Sequence, residues 1–461
     1  MRKCSLFILS ILITINALSQ SDKDAFFIKS IYTSSLTESN CYKWLGELCT
    51  KAGPRLSGSK AANKAVNFTE EIMMGMNFDK VWLQECMVPY WTRGEKEKIF
   101  IEFPDLKNPI KLRGLSLGNS GSAPKGKRAK VVEVNSLEAL EKLEDAFVKD
   151  KIIFFNRPMD PSEIRTFNAY GKAVDQRVYG PARSAAKGAV ACLVRSITTS
   201  LDTFPHTGTT VFQEGVNPIP AIAISTMDAD LLSNYLKETN NLEVYVENHC
   251  KSNGLRKSYN VIGEKKGTTY PNEIILVGGH LDAWDVGQGA HDDGAGCVHA
   301  LEVMNTLNNL NYQPQRTLRV VLFMNEENGL AGGLKYAEIS NKNKEFHVAA
   351  IESDSGGFTP KGFSCTADKS VFPSYLKALS EKFKHLESYD LYLKPGGAGA
   401  DINPLRSQGG LLVGFRPDSQ RYFDFHHTPN DTFDKVNKRE LELGAAAITS
   451  LVYLIDRYGL K

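Results

Sequence analysis

The amino-acid sequence predicts an α/β protein with a mostly parallel central sheet flanked by helices and an inserted β-rich module. Three observations lead to that class. From Tyr259 onward, apolar runs of strand length alternate with segments whose apolar residues recur at helical spacing. Continuous apolar strands between helices need cover on both faces, as parallel βαβ units provide. The stretch from about Glu97 to Cys250 instead carries short strands with interspersed helices, and the stretch from about Asp22 to Val88 is mostly helical.

Residues 25–49 and 60–76 have helical periodicity and are separated by the turn-rich Gly53-Pro54-Arg55-Leu56-Ser57-Gly58-Ser59. Residues 78–89 alternate like a strand. In the middle region the pattern predicts strands at 98–103, 129–134, 152–155, 189–194 and 221–225, with helices at 170–188 and 227–237. The last region reads as strands at 273–279, 317–325, 348–354 and 411–415. Helices at 294–310, 329–340, 374–383 and 438–458 separate and close them. The expected organisation is a leader over 1–19, a first segment over 20–96, an inserted module over 97–250 and a closing α/β region over 251–461, with which the segment 20–96 forms one domain.

The leader rests on Arg2 and Lys3, on an apolar run from Leu6 to Ile15 too short to span a bilayer, and on the small residues Ala17 and Ser19. Its removal implies a secreted or periplasmic protein without stable membrane insertion. With 55 basic against 53 acidic residues, no global field draws the chain to nucleic acid. Beyond Cys4, seven scattered cysteines are not a disulfide framework; a single Cys41–Cys49 bridge is the one conceivable pairing.

Chemistry gathers where right-handed crossovers place every strand's C-terminal end, on one sheet edge. His280-Leu281-Asp282, Glu326-Glu327, Asp354-Ser355-Gly356 and His426-His427-Thr428 each follow an expected strand. Alone, each has an ordinary structural reading as a satisfied histidine, a solvated turn or a cap. Together, so many carboxylates in one crevice would repel one another without cations. Two imidazoles and three carboxylates suit zinc or a similar ion, and five donors are right for two ions sharing one carboxylate. Two such ions, about 3.5–4 Å apart, can share a hydroxide and clamp both oxygens of a tetrahedral intermediate.

These segments, with Gly289-Ala290-His291-Asp292-Asp293-Gly294, Asn325 to Gly329, Glu352 to Gly356 and His427 to Thr432, resemble in order the motifs of the dizinc aminopeptidase and glutamate carboxypeptidase family. The early loop at Arg55 and Pro205-His206-Thr207-Gly208 resemble one subgroup of it. The resemblance implies that Asp292 bridges two Zn2+ ions, with His280 and Asp354 completing one and Glu327 and His427 the other. Glu326 would be the general base, and Asp282 would hydrogen-bond the far nitrogen of His280. Both doublets stay ambiguous, Glu326 against Glu327 and His426 against His427; motif order favours Glu327 and His427 as ligands. The likeness also implies a cis Asp292–Asp293 bond, a protease-associated module capping the site, dipeptide substrates with free N-termini and a homodimer. Two rivals are an inactive binding scaffold, which would have lost ligands, and a single-zinc transferase such as a glutaminyl cyclase.

Overall fold

Two eight-stranded sheets organise the chain in a computed structural model that describes residues 22–104, 106–239 and 241–460. The expected leader lies outside those residues. After helices at residues 22–37, Cys41–Lys51 and Lys60–Met74 comes β1 (Lys80–Thr92). Then follow β2 (Lys98–Glu102), β3 (Ile110–Lys111), β4 (Gly114–Ser116), β5 (Ala123–Val134), β6 (Ile152–Phe155), β7 (Ala191–Arg195), β8 (Ala221–Ile224) and β9 (Glu243–Asn248). The rest are β10 (Lys251–Lys265), β11 (Tyr270–His280), β12 (Arg316–Phe323), β13 (Phe346–Glu352), β14 (Pro360–Thr366), β15 (Tyr392–Pro395) and β16 (Leu411–Pro417). The first sheet runs β1-β10-β12-β11-β13-β16-β14-β15 and the second β3-β2-β9-β5-β6-β7-β8-β4.

The first sheet is mixed rather than mostly parallel. Its centre, β12-β11-β13-β16, is parallel throughout. Antiparallel pairs bound that centre, β1 and β10 on one side and β14 against β16 on the other. Along the central strands alternate residues enter two different cores. Ile275, Val277, Val320 and Ile351 pack beneath the helices Ala295–Asn309 and Lys438–Tyr458. Leu276, Val321, Phe323 and Ala350 pack with Tyr336 and Ala337 of the helix Ala331–Lys342. Burying each such side chain contributes about 1.5–3 kcal/mol, so a centre apolar on both faces holds the strand ends rigidly.

β1 and β10 form a long ribbon in which Thr92 pairs with Lys251. The chain therefore leaves the first sheet and re-enters it at adjacent positions, and the second sheet is built from what lies between. That sheet is also mixed, with β5 to β8 parallel and β9, β2, β3 and β4 antiparallel at its flanks. One of its cores, with Ile153, Phe155 and Val194, includes Tyr422, Phe423 and Phe425 from the far end of the sequence. The second sheet thus packs onto the loop that carries His426 and His427.

Two expected helices are broken. The one over 25–49 stops before Asn40, the N-cap of Cys41–Lys51. The one over 170–188 is three short helices, and the last starts at Gly180-Pro181, where the proline lacks the N–H that an uninterrupted helix requires. Cys41 and Cys49 are free, buried thiols like the other five described cysteines, and burial pushes both thiols upward. Among the described residues, no helix is long and apolar enough to cross a membrane.

Candidate metal centre

The C-terminal ends of the four parallel strands deliver the candidate side chains to one edge. β11 ends in His280, β12 leads through Asn325 to Glu326 and Glu327, β13 leads to Asp354, and β16 leads to the loop with His427. Asp292 comes from a non-helical turn ahead of the helix Ala295–Asn309, and the Asp292–Asp293 bond is cis. That turn needs Gly289, which has φ +57°; a Cβ there would lie 2.3 Å from that of Ala283.

The geometry brings all five expected ligands together. His280 Nε2 lies 3.3 Å from Asp292 Oδ1 and 3.5 Å from Asp354 Oδ1. His427 Nε2 lies 3.2 Å from Asp292 Oδ2 and 3.1 Å from Glu327 Oε2. Asp292 therefore stands between two imidazoles and turns one oxygen to each. His426 Nε2 is 3.8 Å from Asp292 Oδ2 and has no close approach to Glu327, so His427 is the better placed of the histidine pair. Glu327 turns Oε2 to His427 and accepts the Trp284 N–H on Oε1, which leaves Glu326 as the acid of its doublet free of the cluster.

Asp282 differs from its expected role. His280 Nδ1 is 2.9 Å from the backbone oxygen of Asp282, whereas the Asp282 carboxylate is 4.0 Å away. That carboxylate instead accepts the backbone N–H groups of Asn325 and Glu326, at 2.6 and 3.1 Å. Its oxygen is occupied by the glutamate loop, so the carbonyl beside it fixes the histidine and the side chain fixes the loop. A carbonyl can only accept, so Nδ1 carries the proton and Nε2 faces the carboxylates.

Three supporting residues carry no role in the sequence reading. The fully buried Arg55 donates to the carbonyls of Leu281, Gln288 and Gly289, pinning both ends of the loop after His280. Asp431 accepts the N–H groups of His291 and Asp292, and Asp293 accepts those of His280 and Gly296. Each lies in or beside a quoted motif, but the groups they hold are backbone atoms, which leave no mark in the sequence.

The buried imidazoles and carboxylates shift one another's affinity for protons. Burial opposes a charged His427, yet Glu327 and Asp292 raise it to about 10. Burial likewise opposes a charged His280, and Asp292 and Asp354 raise it well above its usual range. Burial and the neighbouring Asp292 carboxylate lift Glu327 to about 7, and burial with Asp354 and Glu327 lifts Glu326 well above an ordinary carboxyl. Asp292 Oδ2 is buried without a hydrogen-bond partner. Two nitrogens and three carboxylates gathered on the two sides of Asp292, one of its oxygens unpartnered, fit a zinc-type centre, where cations would take the place of those protons.

The model of peptidase family M28 matches residues 260–452, a span that contains all five candidate ligands. Carboxypeptidase Q of Mus musculus is 33% identical over 91% of this chain and 86% of its own length. The chain belongs to peptidase family M28. As an M28 peptidase it is a zinc-dependent exopeptidase, a metallopeptidase similar to proteins named carboxypeptidase and aminopeptidase. The crystal structure of an M28 peptidase precursor from Shewanella amazonensis superposes with a TM-score of 0.88 at 33% identity, covering 95% of this chain and 97% of that one. An aminopeptidase from Aneurinibacillus sp. strain AM-1, 22% identical, has the same fold with a TM-score of 0.61 over 92% of this M28 chain and 95% of its own.

Proposed function

We propose that this M28 peptidase is a dizinc enzyme that releases amino acids from short peptides with a free N-terminus, dipeptides first. In this reading His280 and Asp354 hold one ion, Glu327 and His427 the other, and Asp292 bridges them. The observation that carries it is the division of Asp292, with Oδ1 3.3 Å from His280 Nε2 and Oδ2 3.2 Å from His427 Nε2. When bound, the ions supply Lewis acidity that polarises the scissile carbonyl and makes water a nucleophile near neutral pH. The chain's own residues do the rest. Glu326 takes the proton of the attacking water and passes it to the leaving amine; its raised affinity for a proton favours the first task. Asp282 holds Glu326 by the backbone, so the base is aimed by the same residue whose carbonyl orients His280.

The second sheet is assigned in the same proposal to a protease-associated module that limits substrate length, supported by its insertion between β1 and β10 and its packing onto the loop of His426 and His427. Export through residues 1–19 and pairing of two copies complete the reading; N-terminal sequencing of the mature protein and light scattering test these points. The central test is elemental analysis with a peptide panel. Two zinc ions per active chain, with dipeptides cleaved and N-acetylated dipeptides refused, is the expected result. Full activity with a single ion, or indifference to the acetyl group, would overturn it.

A further inference from the structure

We infer that the loop Pro205–Gly208, supplied by the second-sheet module, positions His427 and so completes one half of the metal centre; the inference rests on the proposed role of His427 as a ligand. Thr207 and His427 exchange two hydrogen bonds. The Thr207 N–H donates to the His427 carbonyl at 3.0 Å, and His427 Nδ1 lies 3.2 Å from the Thr207 carbonyl. That carbonyl can only accept, so Nδ1 carries a proton and Nε2 is the nitrogen turned to Asp292 and Glu327. This is the arrangement a metal-binding imidazole requires, and its partner comes from 220 residues earlier in the chain.

Two further observations point the same way. His427 has φ +61°, a left-handed conformation uncommon for a residue with a side chain. The holding contacts come from the same loop. The His206 ring, 1% exposed, puts Nδ1 2.7 Å from the carbonyl of His426, so positions 426 and 427 are both gripped by the loop.

The loop is in turn anchored to the second sheet rather than to the first. Thr207 Oγ1 donates to the carbonyl of Ser116 at the end of β4, and the His206 N–H donates to Ser196 Oγ, just beyond β7. Ser196 Oγ then donates to the carbonyl of Ile224, the last residue of β8. Gly208, at φ +136°, leaves room for Arg177, whose guanidinium carbon would lie 2.4 Å from a Cβ there. The module therefore does no chemistry itself, yet the centre cannot keep its geometry without it. His206 and Thr207 are positioning residues in this scheme, since neither side chain needs to touch substrate.

The test measures zinc binding rather than turnover alone, on the full-length protein. His206→Ala removes the grip on His426, and Thr207→Val removes the anchor to Ser116 while keeping shape. Each loosens the loop whose Thr207 carbonyl holds His427 Nδ1 and should weaken the ion at His427 by about 10-fold, the lower end of the effect of losing such a partner outright. At a chelator concentration where the wild type keeps two equivalents, these variants should keep one. His206→Asn can return a donor near the position of Nδ1 and should restore the second equivalent, which general loosening of the fold would not allow. Circular dichroism of the metal-free proteins checks folding; if His206→Ala misfolds, the Thr207→Val and His206→Asn pair decides the matter. Two equivalents held as tightly as in the wild type would refute the inference alone. A wild-type protein with fewer than two would refute the proposed centre itself.

Discussion

Glu302 should make the stability of this protein fall as pH rises, and the Glu302→Gln substitution should abolish that fall. Glu302 is fully buried on the helix Ala295–Asn309 and accepts bonds from the Asn40 N–H at 3.0 Å, Asn305 Nδ2 at 2.9 Å and Thr306 Oγ1 at 3.3 Å. Burial outweighs those bonds and raises its carboxyl from 4.5 to about 7. In that window the folded chain keeps a proton that the unfolded chain releases, so stability declines as pH increases and the penalty is complete above the folded value. A shift of that size corresponds to about 3 kcal/mol. For a chain of 461 residues the unfolding entropy is about 1 kcal/mol/K, so the substitution should raise the melting temperature by about 3 °C at pH 8. At pH 4.5 the two proteins should melt together. Comparing variant with wild type at both pH values, after chelation, removes the pH dependence of metal binding from the difference. An equal difference at pH 4.5 and pH 8 would show that Glu302 is already ionised in the folded protein, and the reasoning would fail.

The paired glutamates should separate by readout. Glu326→Gln should lower kcat by at least about 100-fold with zinc content intact, whereas Glu327→Gln should lose zinc, as measured by elemental analysis; the reverse pattern would exchange their roles. In the loop after Thr210, residues 213–216 form an exposed turn closed by the Val216 N–H donating to Gln213 O. Deleting these four residues leaves the grip on His427 in place and should admit tripeptides and tetrapeptides, read by mass spectrometry of the products. Unchanged refusal of longer peptides in a folded variant would remove the capping role.

What the sequence revealed of the fold follows burial. β12 is buried at every position and β6 reads Ile-Ile-Phe-Phe, so their apolar runs announce strands buried on both faces. The antiparallel flanks carry no such signal. β10 opens with Lys-Ser-Asn-Gly-Leu-Arg-Lys, exposed throughout, because that half pairs only with β1 in a ribbon outside the covered centre. β15 and the start of β14 are similarly half-exposed. An edge strand is held by backbone bonds to one neighbour, and those bonds place little demand on the side chains. Apolar runs thus report the parallel centre and not the strands that flank it, which is why the sheet is more mixed than the sequence predicts.

The site divides along the same line. Five ligand candidates are legible in the sequence because a zinc-type centre can use only a few side-chain types, and their places at strand ends set which sheet edge they share. The groups that aim them are mostly backbone atoms: the Asp282 and Thr207 carbonyls for His280 and His427, and the carbonyls that Arg55 gathers behind the loop. Any residue at position 282 could offer that carbonyl, so its aspartate must be explained by another contact, the N–H groups of Asn325 and Glu326. An acid beside a metal-binding histidine need not orient that histidine. Here it secures the loop that carries Glu326, the proposed base, which makes the spacing of Glu326 from the candidate ligands, rather than the tautomer of His280, the property most exposed to loss of the Asp282 carboxylate.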